Sequence, residues 1–66
     1  MNITVNGESR LVDEGTTIGA IVDSITRDRS RVAVDRNTEI VPRATYDEAA
    51  VADGDVIEVV TLVGGG

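Results

Sequence analysis

The chain has 66 residues, of which 41% are hydrophobic and 27% are charged; its formal net charge is −6, it contains no Cys and no His, and all six basic residues are Arg. This composition predicts one small folded domain, and it excludes disulfides, thiolate or imidazole catalysis, Schiff-base chemistry and zinc sites, so we expect neither an enzyme nor a metal site. The acidic charge argues against nucleic acid as a partner, because phosphate binding needs a basic patch, and it favours basic protein partners.

The first predicted element is a β-hairpin over residues 2–13. Its turn is predicted at Asn6 and Gly7, because Asn-Gly is the preferred centre of a type I′ turn. In the segment before the turn, Ile3 and Val5 alternate with polar residues. This alternation predicts a strand with one buried face and one solvated face.

The next predicted element is an amphipathic helix. Thr16 or Thr17 can cap its N-terminus, and the polar run RDRS predicts its end near Thr26. Its apolar residues follow the i, i+3, i+4, i+7 spacing of one helix face. They are Ile18, Ile21, Val22 and Ile25. Gly19 lies within this helix at a cost of about 1 kcal/mol relative to Ala, which indicates either close packing or simple tolerance.

The segment RVAVDRNTEIVPR predicts two further strands with a turn around Asn37. Pro42 has no amide hydrogen to donate, so it marks a strand end or a sheet edge. The connection that follows is predicted to hold one helical turn at residues 46–49. Its Tyr46 is the sole aromatic residue, and we expect its ring at the edge of the core with its hydroxyl in water.

The last predicted strand is VIEVVTLV, residues 56–63, the most β-prone segment of the chain. We place it centrally, because a flat apolar edge strand invites aggregation, and parallel to the first strand. The result is an α+β fold, a mixed four- to five-stranded sheet with one helix packed on one face. That arrangement is the ubiquitin-like β-grasp. The predicted domain covers residues 1–63, and residues 64–66 form a flexible glycine tail.

The last strand also carries a candidate docking surface. If Ile57, Val59 and Thr61 face the helix, then Val60 and Leu62 point outward beside the tail. Exposed apolar clusters usually mark a partner surface, so both residues are candidates for docking. The alternative interpretation is that side chains of neighbouring strands cover them.

The glycine tail has two interpretations as well. It is either a frayed terminus or an arm that delivers a terminal carboxylate to another protein's active site. Three extended glycines span roughly 10 Å and, lacking a Cβ, can thread a narrow channel. In a chain without a thiol, the carboxylate is the one group able to carry a transferable atom.

Five sequence elements carry a resemblance to a known family. They are VNGE in the first strand, EGTTI at the helix entry, VAVDRNTEIVPR, DGDVIEVVTLV and the terminal GG. In this order and spacing, and over the whole length, the chain resembles the ThiS family, the sulfur carriers of thiamine biosynthesis. One departure from the family pattern is the third glycine, Gly64, which lengthens the tail without removing Gly65 and Gly66.

The resemblance implies a function for the tail. An adenylating enzyme similar to ubiquitin-activating enzymes uses ATP and Mg²⁺ to convert the carboxylate of Gly66 to an acyl adenylate. A persulfide donor then replaces AMP with sulfur, and thiazole synthase consumes the resulting thiocarboxylate. Gly64 and Gly65 thread the partners' active sites. Arg43, which ends the matching VPR, either pairs with a partner carboxylate or is simply solvated.

The sequence is also compatible with other functions. The same tail suits a carrier for molybdopterin synthesis or tRNA thiolation, or a ubiquitin-like protein modifier. A plain β-grasp interaction module would give the glycines no role. The N-terminus lacks the basic and apolar segments of a secretory signal, so we expect a cytoplasmic monomer that contacts no membrane.

Overall fold

The computed structural model describes residues 1–62. Val63 and the glycines at 64–66 lie outside the described residues, and with them the predicted domain boundary and tail. Two short 3-10 turns, Arg29–Arg31 and Arg43–Thr45, connect the regular elements. Those elements are β1 (Asn2–Val5), β2 (Glu8–Leu11), α1 (Ile18–Asp23), β3 (Val32–Arg36), β4 (Glu39–Ile40) and β5 (Val56–Thr61).

The five strands form one mixed sheet in the order β2-β1-β5-β3-β4. The central strand β5 pairs in parallel with β1 and antiparallel with β3. The two outer pairs, β1 with β2 and β3 with β4, are antiparallel hairpins. The predicted α+β architecture, the central position of the last strand and its parallel pairing with the first are therefore confirmed.

Both hairpins turn through residues with left-handed backbone. In the first, Asn6 has φ 50° and Gly7 has φ 82°, as the predicted type I′ turn requires. In the second, Asn37 has φ 51° and Thr38 has φ 73°. A β-branched residue at positive φ is a genuine outlier, so the second turn stores strain that the first avoids.

The helix is shorter than predicted. Thr17 caps it as expected, because its Oγ1 accepts a hydrogen bond from the Ala20 amide at 3.1 Å. It ends at Asp23, since the Ser24 hydroxyl donates to the Ile21 carbonyl at 2.6 Å and the chain turns away. The predicted apolar face is confirmed for three of its members, namely Ile18, Ile21 and Val22, which are buried. It is wrong for Ile25, which is 39% exposed.

One of the two predictions about the connection after β4 needs correction. The predicted helical turn at residues 46–49 is confirmed, because the Ala49 amide donates to the Thr45 carbonyl at 2.9 Å. A 3-10 turn that was not predicted, Arg43–Thr45, precedes it and starts directly after Pro42. Tyr46 is 2% exposed, so its ring lies in the core and not at its edge. Its carbonyl accepts a hydrogen bond from the Gly19 amide at 2.9 Å, which holds Tyr46 against the first turn of the helix.

The core lies between α1 and one face of the sheet. Alternate residues of β1, β3 and β5 point into it, as their period-2 pattern predicts. The buried apolar residues are Ile3, Val5, Ile18, Ile21, Val22, Val32, Val34, Tyr46, Val51, Ile57 and Val59. The opposite face of the sheet, here called the outer face, is left without a covering element among residues 1–62.

Candidate functional site

The outer side of β5 exposes apolar residues, as the sequence predicts. Ile57 and Val59 are buried at 0% and 8% exposure, whereas Val60 is 54% exposed and Leu62 is 45% exposed. Thr61 lies on the helix side of the sheet, as the register partner of buried Val32, but it is exposed because it lies at the end of the strand. The outward orientation of the two candidate docking residues is therefore confirmed, while their docking role stays a prediction.

The outer face carries further apolar residues on β2, on β4 and at the start of β5. Strand register places them on the same side as Val60, because directly paired residues share a face. They are Leu11, Ile40 and Val56, which are 85%, 79% and 45% exposed. Together with Val60 and Leu62 they form a dispersed apolar surface with polar residues between them, which is the pattern of a docking surface more than of a misplaced core.

Arg43 lies at the same end of the sheet as Leu62, the last described residue. Its Nη2 donates to the Ser30 carbonyl at 3.3 Å. The carbonyl of the next residue, Arg31, accepts from the Leu62 amide at 2.6 Å. Two neighbouring carbonyls thus bring Arg43 and Leu62 to the same end of the molecule. Within residues 1–62 Arg43 has no carboxylate within 4.0 Å, although its charge contributes to lowering the pKa of Asp28.

A second arginine fixes the helix side of the fold. The guanidinium of Arg29 forms ion pairs of 2.8 Å with both Asp23 and Asp47. These hydrogen bonds lower the pKa of each carboxyl from its ordinary value. Gly19 lies directly beneath: a Cβ there would collide with the Asp47 carboxylate and come within 2.8 Å of Arg29 Nη2. Of the two interpretations of Gly19, close packing is confirmed.

A buried carboxylate, which the sequence did not reveal, sets the start of β5. Asp55 is 6% exposed, and its Oδ2 accepts from the Ala52 amide and from Arg36 Nη2, both at 2.8 Å. Its Oδ1 accepts from the side chain of Asn37 at 3.0 Å, while Asn37 Oδ1 accepts from the Val56 amide at 2.9 Å. Burial raises the pKa of Asp55, but these hydrogen bonds and the Arg36 charge outweigh burial and hold it below its ordinary value.

Two further kinds of site are not found in the described part of the chain. Among residues 1–62 no three acidic side chains are arranged to hold a metal ion. The same part of the chain has no helix that is long and apolar enough to cross a membrane. The predicted reactive residue, Gly66, and the threading residues Gly64 and Gly65 lie outside the described residues.

Comparison with known proteins defines the class. The chain is similar to a crystal structure of the thiamine biosynthesis protein ThiS from Geobacter metallireducens, with a TM-score of 0.77 and 33% identity over the whole of both chains. A solution structure from the same organism gives a TM-score of 0.73 at 32% identity, covering 100% of this chain and 88% of that one. The protein is therefore a small ubiquitin-like β-grasp domain.

Sequence relatives define the family. The profile of the ThiS family matches residues 3–66, so the chain belongs to that family. It is 42% identical to the sulfur carrier protein ThiS of Bacillus subtilis over 50 residues, 76% of each chain. It is also 42% identical over all 66 residues to the thiazole synthase of Paramagnetospirillum magneticum, but spans only 20% of that protein. The chain thus spans about a fifth of the length of the first curated relatives it matches.

Proposed function

We propose that this chain is a sulfur carrier of thiamine biosynthesis, and that the carboxylate of Gly66 carries the sulfur as a thiocarboxylate. A carboxylate is a poor electrophile, so it needs activation before sulfur can replace an oxygen. An adenylating partner that uses ATP and Mg²⁺ supplies this step by forming an acyl adenylate with loss of pyrophosphate. A persulfide sulfur then attacks the acyl carbon, and AMP leaves with one oxygen of the original carboxylate. The resulting acyl disulfide is cleaved by a thiol, which forms a disulfide with the other sulfur of the donor and releases the thiocarboxylate of Gly66.

The observation that carries this proposal is the position of β5. It is the central strand, paired on both sides, and in the sequence the glycines follow it after two residues. A firmly held strand fixes where the glycine segment begins, while glycine leaves that segment able to adopt almost any backbone angles. The absence of Cys and Lys from the chain leaves the terminal carboxylate as the group for such chemistry, with all catalytic groups supplied by partners.

The relatives support thiazole synthase as the acceptor of the sulfur. In the Paramagnetospirillum and Magnetococcus thiazole synthases, a fifth of the protein is similar to this entire chain. A carrier segment within the same polypeptide as a synthase is a direct way to deliver sulfur to it, because a covalent link raises the effective concentration. We propose that the same pairing operates for this chain.

The chemical proposal is tested by intact-mass spectrometry. Protein ending in Gly66 is incubated with the adenylating enzyme of its own organism, ATP, Mg²⁺, a persulfide donor and a thiol reductant. We expect a mass increase equal to replacement of one oxygen by sulfur, located at Gly66, and no change when ATP is omitted or Gly66 is deleted. An unchanged mass in the complete reaction contradicts the carrier proposal. Gly66 in isopeptide linkage to other proteins would instead identify a protein modifier.

We further propose that Val60, Leu62 and Arg43 dock the adenylating enzyme. Val60 is about half exposed, and full burial of a Val side chain contributes roughly 1.5–3 kcal/mol, so docking gains about 1 kcal/mol there. Val60→Asp removes this gain and buries a charge, at a further cost of several kcal/mol. We therefore expect binding at least about 100-fold weaker.

The control for docking is Ala20→Asp, which introduces the same charge at an exposed position of α1, on the other side of the sheet. This variant should bind the adenylating enzyme as the unmodified protein does. Leu62→Asp should behave like Val60→Asp, and Arg43→Ala should weaken binding more modestly. Equal affinity of folded Val60→Asp and Ala20→Asp would show that the outer face is not the docking surface.

A further inference from the structure

We propose that a cleft on the outer face receives a basic side chain, Arg or Lys, of the docked adenylating enzyme, held between the carboxylates of Asp35 and Glu58. This inference rests on the docking surface proposed above. It adds one specific polar contact to a surface with several exposed apolar side chains, and it assigns that contact to a partner of defined charge.

The cleft lies beside the second hairpin turn. Its volume is about 420 Å³, which is ample for one long side chain. It combines two carboxylates with apolar and hydroxyl surface. The lining residues are Asp35, Asn37, Thr38, Val56 and Glu58. Arg and Lys side chains suit such a site, because their aliphatic stems pack on apolar surface such as Val56 while their charged ends reach carboxylates.

The charges of the cleft are unbalanced within the domain. Asp35 on β3 and Glu58 on β5 are direct register partners, and like charges directly opposite each other destabilise a sheet. Neither carboxylate has a basic partner within 4.0 Å among residues 1–62. The strand arginines Arg10 and Arg36 are on the other face, since they pair in register with buried Ile3 and Ile57. A cation from a partner would therefore compensate two carboxylates at once.

The cleft is continuous with the proposed docking surface. Glu58 and Val60 alternate on the same face of β5, two residues and hence roughly 7 Å apart. A partner that places an apolar group on Val60 can place a neighbouring Arg or Lys in the cleft. Opposite-charge contacts fix the orientation of a complex. The contact between the basic side chain and the cleft would fix the direction in which β5 presents the glycine segment to the partner.

The proposal is tested with charge-neutralising variants of unchanged shape. Glu58→Gln and Asp35→Asn are compared with Glu48→Gln, an equal loss of charge in the exposed segment that packs beside the helix. Affinity for the adenylating enzyme is measured at low and at high salt, and stability by urea unfolding. We expect Glu58→Gln to bind about tenfold more weakly at low salt, with a smaller difference at high salt. Its urea midpoint should equal or exceed that of the unmodified protein, and Glu48→Gln should change neither quantity.

The outcomes separate this inference from the function on which it rests. If Val60→Asp abolishes binding while Glu58→Gln binds within twofold of Glu48→Gln, the cleft has no cationic occupant although the docking surface stands. A weakened Glu58→Gln whose urea midpoint also falls overturns the inference, because the carboxylate would then be structural. Formation of the Gly66 thiocarboxylate is scored separately by mass, so failure of the carrier chemistry is seen independently of both binding results.

Discussion

Asp55 provides the most exact test of how this fold presents β5. The Asp55→Ala substitution removes the acceptor for three hydrogen bonds, donated by the Ala52 amide, the Asn37 side chain and Arg36. We expect no significant loss of stability from a cavity, because the substitution removes only a small polar group. The loss of unfolding free energy should therefore measure the polar contacts that hold the turn before β5 to the turn after β3.

The magnitude follows from the three contacts. Each of the two neutral donors contributes about 1 kcal/mol net. The contact with Arg36, whose side chain is 30% exposed, is discounted for solvent screening to somewhat less than 1 kcal/mol. The sum is about 3 kcal/mol, against a total of roughly 3–10 kcal/mol for a domain of this length. A loss of this size lowers the melting temperature by roughly 12–24 °C.

The measurement is urea unfolding followed by circular dichroism at neutral pH. The control is Asp53→Ala, two residues before Asp55. It removes a single exposed hydrogen bond of 2.7 Å, which the Asn2 amide donates to the Asp53 carboxylate. We expect the control to lose less than about 1 kcal/mol. If Asp55→Ala loses no more than Asp53→Ala, the polar contacts of Asp55 do not hold the start of β5 and the reasoning is refuted.

Three further predictions test the fold. The pKa of Asp55 is below its ordinary value. The stability that the Asp55 carboxylate gives the fold is therefore complete above the unfolded carboxyl pKa of about 3.9, and it is lost as pH falls through the pKa of the folded state. As pH is lowered from about 4, the urea midpoint should decrease less steeply for Asp55→Asn than for the unmodified protein. Both turn positions 7 and 38 have positive φ, so Gly7→Thr should destabilise the protein by about 1 kcal/mol, whereas Thr38→Gly should be neutral or stabilising. A stabilising Gly7→Thr or a destabilising Thr38→Gly, measured by urea unfolding, would contradict the turn geometry. Thr17→Ala should cost about 1 kcal/mol through loss of the helix cap, and an unchanged melting temperature would contradict that role.

The sequence predicted those features that local pattern determines. Alternation in β1 and β5 identified the buried residues Ile3, Val5 and Ile57, and Asn-Gly identified the first turn. The central place of β5 followed from its apolar character, which an edge strand would expose to other chains. From these elements a single helix on a mixed sheet was the simplest arrangement, and the structure has it.

The features that the sequence missed depend on residues far apart in the chain. Asp55 is buried because Asn37 and Arg36, both 18 or more positions earlier, reach its carboxylate. The Arg29 ion pair with Asp47 also joins residues 18 apart, and it explains Gly19. No periodic pattern encodes such pairs. The position of Ile25 was missed for a local reason, since the Ser24 hydroxyl ends the helix before the apolar pattern does.

Side-chain hydrogen bonds link the two hairpin turns to β5. Each turn places an asparagine in left-handed backbone, and each asparagine side chain accepts a hydrogen bond from a β5 amide: Asn6 from Val59 at 2.8 Å and Asn37 from Val56 at 2.9 Å. The strand is thus held by backbone pairing, by these side chains and by the burial of its inward residues. Its outward residues, Val60 among them, contribute little to that stability because they are half exposed. The outer side of β5 can therefore be specialised for a partner without loss of the fold, so docking and stability should be separable by mutation on this one strand.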